Sequence, residues 1–110
     1  AHNYEGVEIL LRNYENMYGH LNTDIYLGFK KGKDINNILN LIIGKTNYNL
    51  HLIEDDTFFD QETTKEIGYL LDKYGKNYKI ASLEQFKKNK NPSILLGSLY
   101  LIGEYKKRNI

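Results

Sequence analysis

The sequence has no cysteine, no tryptophan and a single proline. Without cysteine there can be no disulfide, no thiolate metal site and no cysteine nucleophile. That fits a reducing compartment, so a cytoplasmic protein is expected, and the abundance of Tyr, Asn, Lys and Ile suggests an AT-rich coding sequence of the kind found in many bacteria and phages. No apolar run is long enough to span a bilayer and no secretory signal is seen, so no membrane partner is expected. The chain opens on AHN rather than Met, which reads as a processed end, and His2 is assigned no role. There is no repeat, no low-complexity tract and no linker, so residues 1–110 are expected to form one globular domain.

Catalytic signatures are also missing. Neither GxGxxG nor GxxxxGK[ST] occurs, and there is no nucleophile elbow. Of the serines, Ser82 reads as a helix cap, Ser93 sits in a predicted first helical turn and Ser98 lies in an apolar segment. His2, His20 and His51 do not stand at metal-ligand spacing with one another or with a carboxylate on a helix. No catalytic residue, metal or cofactor is expected. The net charge is only +1, whereas a dedicated nucleic-acid binder carries a clear basic excess.

What is present suits a folded domain, with 41% hydrophobic and 26% charged residues. In GVEILLRNYENMYGHL, Val7, Leu10, Leu11, Tyr14, Met17, Tyr18 and Leu21 recur at helical spacing, and Gly19 ends the helix. Residues 25–29 alternate as a strand would, but Thr23 or Asp24 could cap a short helix, and the short helix is preferred. Asp34 reads as the N-cap of a helix carrying Ile35, Ile38, Leu39, Ile42 and Ile43, closed by Gly44. Tyr48, Leu50 and Leu52 alternate with polar residues and form the best strand candidate, with Tyr78–Ile80 as a partner. Asp60 opens a helix with Ile67, Leu70, Leu71 and Tyr74 buried, and Gly75 closes it. Ser82 and Gln85 form a capping box. From Asn91, with Pro92 in the first turn, Ile94, Leu95, Leu96, Leu99, Leu101 and Ile102 predict a buried final helix that ends near Lys106, Lys107 and Arg108.

The expected fold is mostly α, a bundle of five or six helices with room for a minor two-stranded β element. Leu10, Leu11, Tyr14, Ile38, Leu39, Ile42, Ile67, Leu70, Leu71, Leu95, Leu99 and Ile102 are expected in the core.

Charge is unevenly spread. Glu54, Asp55 and Asp56, with Asp60 and Glu62, make one acidic stretch, while Lys30, Lys31 and Lys33 make a basic patch. The acidic stretch lacks the alternating oxygens and central glycine of a calcium loop. It reads as a polar loop with a helix cap, or as a contact for a basic protein. Ten tyrosines add contact area of the kind enriched at interfaces.

Two resemblances bear on function. TTKEIGYLLDKYG is similar to the first helix of a helix-turn-helix, and Gln85, Lys87, Lys88 and Lys90 follow it. The order YENMYGHLNTDIY, DINNILNLI and KEIGYLL resembles the small helical immunity proteins of contact-dependent growth inhibition systems. That second resemblance implies a non-enzymatic protein that neutralises a toxin by direct binding. Its partner would be a basic toxin met by Glu54, Asp55, Asp56 and Asp60. A small DNA-binding regulator is the alternative.

Overall fold

The computed structural model describes residues 4–29, 35–55, 59–97 and 105–106. Along the chain it runs α1 (Tyr4–Tyr18), β1 (Thr23–Gly28), α2 (Ile35–Ile42), β2 (Tyr48–Ile53), α3 (Gln61–Lys73), β3 (Tyr78–Ala81), α4 (Leu83–Lys88), β4 (Ser93–Gly97) and β5 (Tyr105–Lys106). The strands form one sheet in the order β3-β2-β1-β4-β5. The first four are mutually parallel, and β5 joins β4 antiparallel at the edge. The expected mostly-α bundle is therefore incorrect. The domain is α/β.

The helical predictions hold where periodicity is local. Helix α1 ends at Tyr18, and Gly19 follows with φ of +67°, a conformation that costs glycine nothing. Helix α2 buries Ile35, Ile38, Leu39 and Ile42 as one stripe. Asp60 caps α3, and Gly75 follows that helix with φ of +72°. The capping box of Ser82 and Gln85 starts α4.

The strands account for the errors. Residues 23–28 form a strand rather than a short helix, paired on both sides and buried on both faces. Burial on both faces erases the polar alternation by which a half-exposed strand is recognised. Residues 93–97 are strand β4, not the start of a helix, and residues 105–106 belong to β5 rather than to a helical C-terminus. A short run of apolar residues fits a buried strand as well as a buried helix. Leu99, Leu101 and Ile102 lie outside the described residues, as do Asp34, Lys107 and Arg108. The pairing foreseen between residues 48–52 and 78–80 is present as the β2–β3 ladder.

Two apolar layers flank the sheet. On one face, Ile25, Leu27, Phe29, Leu50, Leu52, Ile94 and Leu96 pack against buried residues of α1, α2 and α3. On the other, Tyr26, Ile53, Phe59, Ala81 and Leu95 pack with Leu83 and Phe86 of α4. The division follows from chain path. The steps β1–α2–β2 and β2–α3–β3 move the same way along the sheet. The step β3–α4–β4 returns past β2 and β1 to the far side. Because parallel crossovers are right-handed, reversing direction places α4 on the opposite face. Of the expected core, Leu10 is half-buried, and the other described members, from Leu11 to Leu95, are buried.

Candidate ligand site at the carboxyl edge of the sheet

The reversal of direction creates a particular place. From β1 the chain goes by way of α2 to β2 on one side, while β4 lies on the other. The helix that follows β1 and the helix that precedes β4 therefore lie on opposite faces of the sheet. Open parallel sheets take their ligands outside the carboxyl ends of the strands, where the strand order reverses.

Several residues shape this edge. Strand β1 ends at Gly28, and the ring of Phe59 lies against it so closely that a Cβ on Gly28 would come within 2.9 Å of ring carbons. The next residue, Phe29, is fully buried, and its carbonyl accepts a hydrogen bond from the Asp60 N–H at 3.0 Å. That bond ties the end of β1 to the start of α3. At the neighbouring strands, the Glu54 N–H donates to the Ala81 carbonyl at 3.0 Å. Among the described residues, the buried Gln61 side-chain nitrogen has no hydrogen-bond partner.

The helices that follow β1 and β2 run back from this edge, so their amino ends sit along it with their partial positive charge. At α3 that end is satisfied internally. The Asp60 carboxylate accepts from the Thr63 N–H at 2.9 Å and from the Thr63 hydroxyl at 2.6 Å, with Glu62 in the first turn. The first turn of α2 contains no acidic residue. The sequence joining β1 to α2 carries Lys30, Lys31 and Lys33, which lie outside the described residues.

The described residues of the acidic stretch sit in different settings. Glu54 is exposed just beyond β2, Asp55 is half-buried and its carbonyl accepts from the Phe59 N–H at 3.1 Å, and Asp60 is the cap of α3. Asp56 lies outside the described residues. The helix-turn-helix expectation is corrected too. Strand β3 separates α3 from α4, so no recognition helix follows a tight turn. Helix α4 is six residues long, and its Lys88 makes an exposed contact with Glu84 at 3.9 Å.

Sequence reading missed a polar network on the α4 face, near the amino ends of the strands. The Asp24 carboxylate accepts from the Asn89 amide at 2.9 Å and from the Asn49 amide at 3.3 Å. The Asn89 amide also donates to the Tyr26 hydroxyl at 2.8 Å. His51 Nε2 stands 3.4 Å from the Asp24 carboxylate, outside good hydrogen-bond length. The imidazole stacks on the Tyr26 ring, with centroids 4.5 Å apart. Burial pushes the Tyr26 hydroxyl up, Asn89 partly offsets this, and the Asp24 charge adds to it. Asp24 and His51 are 27 positions apart, and only the β1–β2 register makes them neighbours. No local spacing signals such a pair.

Among the described residues, no three His, Asp or Glu side chains gather as a metal site, and no helix is long and apolar enough to cross a membrane. No family model, no curated protein and no solved structure matches the chain.

Proposed function

We propose that this domain binds a small anionic molecule at the carboxyl edge of its sheet, in the crevice between β1 and β4. The observation that carries the reading is the strand order, which sets β1 beside β4 with the helix after β1 on one face of the sheet and the helix before β4 on the other. Three features support an anion. The amino end of α2 faces that edge without an acidic residue in its first turn. The preceding stretch of sequence holds three lysines against one acidic residue, Asp34. The Gln61 amide supplies a buried donor that no described residue satisfies. Gly28 and Phe59 wall the crevice at its β1 side.

Backbone NMR during titration with inorganic phosphate and with small carboxylates tests the reading. Shifts should concentrate at Gly28, Phe29, Ile35 and Gly97, at constant ionic strength. Absence of shifts at those residues with every anion would overturn it.

A second reading keeps the partner expected from the acidic stretch. Exposed Glu54 and neighbouring Asp55 lie at the same edge and could meet a basic protein, as the resemblance to immunity proteins implies. Reversing both charges should then slow association with that protein without unfolding the domain. Unchanged association would exclude these two residues from the contact.

A further inference from the structure

The opposite edge of the sheet holds a cleft of about 630 Å³, within the size range of small-molecule sites. It lies where the β2–β3 ladder starts late. Tyr48 and Asn49 pair with Thr23 and Asp24 of β1, but the first β3 partner is Tyr78 opposite Leu50. Two residues of β2 therefore have no strand on their β3 side. The turn that follows α3 comes down beside them and contributes Lys76 and Asn77.

The lining is polar and unevenly charged. Asp24, Asn49, His51, Lys76, Asn77 and Lys79 all face it. Lys79 is the cross-strand partner of His51. Among the described lining residues the one carboxylate, Asp24, already accepts from the Asn49 and Asn89 amides. Neither lysine pairs with a carboxylate among the described residues. Two ammonium groups therefore stand at the rim of a concave surface whose only anion is satisfied from within. Two free cations over a polar floor attract an oxyanion, and a concave wall excludes part of its water.

We propose that this cleft is a second binding site, specific for a small oxyanion, with Lys76 and Lys79 as its charge-bearing contacts and the Asn77 amide as a further donor. The Asp24–His51–Tyr26 network holds the floor in place. The site is separate from the carboxyl edge and does not depend on that reading, since the two lie at opposite ends of the strands.

The chemistry is shared by phosphates and carboxylates, so the test uses both. The full chain is titrated with inorganic phosphate and, separately, with citrate, at constant ionic strength, with chloride as control. Amide shifts are followed by NMR. Saturable shifts at Asn49, Asn77, Tyr78 and Lys79 with phosphate alone assign a phosphate site, and with citrate alone a carboxylate site. Lys79 is exposed and Lys76 half-buried, and neither makes an ion pair among the described residues, so Lys76→Ser and Lys79→Ser variants should keep a melting temperature close to the native one. Each should weaken binding by on the order of tenfold, the loss expected for one charge-assisted hydrogen bond. Equal shifts with chloride, no shifts at these residues, or undiminished affinity in the double variant would each overturn the proposal. Shifts at Gly28 or Ile35 would report only on the other edge.

Discussion

The Phe59 ring fills the space that a side chain on Gly28 would need: an added Cβ would sit 2.9 Å from two of its carbons. Phe59 is itself buried at 4% exposure, so its ring has little room to retreat. Gly28→Ala should destabilise the domain by about 1–3 kcal/mol, the usual cost of overpacking. Urea denaturation measures this, and a second change, Phe59→Leu, should restore part of the loss in the Gly28→Ala background. An unchanged midpoint in the single variant would mean that the edge adapts.

The amino edge depends on a buried hydroxyl pair. Tyr14 and Thr23 hydroxyls are 2.7 Å apart, and Thr23 donates to the Leu21 carbonyl at 2.9 Å, which leaves Tyr14 as the donor in the pair. Thr23→Val keeps the shape but withdraws both bonds. It should cost about 1–3 kcal/mol, more than Tyr14→Phe, which withdraws one. A double-mutant cycle by chemical denaturation checks this ordering, and equal costs would contradict it.

Acid stability should depend on Glu15. Burial raises its pKa, but hydrogen bonds from Lys45 at 2.9 Å and Tyr48 at 2.8 Å, with the Lys45 and His20 charges, outweigh that and hold the carboxyl below its ordinary range. A pKa lowered by folding contributes stability above the unfolded value, near 4.3 for glutamate, and loses it as pH falls through the folded one. Glu15→Gln should therefore flatten the decline of stability with acid. Denaturation midpoints between neutral pH and the acid limb measure this, and parallel curves for both proteins would refute it.

At the alkaline end, Tyr48 governs the response. Burial first, and then its hydrogen bond to the Glu15 carboxylate, push the Tyr48 hydroxyl well above the ordinary tyrosine range. Stability from this group is complete below the unfolded pKa, near 10, and is lost as pH rises toward the folded value. Tyr48→Phe should remove that part of the alkaline decline. A decline identical to that of the parent would place its cause in other tyrosines.

Asp60 offers a test that separates structure from charge. Its carboxylate caps α3 through the Thr63 N–H. Asp60→Ala should cost about 1 kcal/mol, whereas Asp60→Asn should cost less, because asparagine also caps well. If a basic partner is bound through this charge, Asp60→Asn should weaken its association while leaving the melting temperature nearly unchanged. An equal loss of stability in both variants would argue against the cap.

The sequence by itself determined the helices and their ends. The stripe Ile35, Ile38, Leu39 and Ile42, the Asp60 cap, the Ser82–Gln85 box and the glycines at 19 and 75 act within a few residues of one another, so local order suffices to find them. Periodicity overreaches at the margins of such a stripe: Met17 falls at helical spacing with the buried residues of α1, yet it is 59% exposed. Tertiary structure decided the rest. Ile25 and Leu27 read as well for a helix as for a strand until β2 and β4 pair on either side of β1. The same holds for Ile94–Leu96, whose extended form depends on a partner about 70 residues earlier in the chain. Strand order follows from crossovers that no local pattern encodes. The Asp24–His51 pair and the cleft beside it exist for the same reason, since hydrogen-bond ladders bring together residues whose separation in sequence carries no periodic signal.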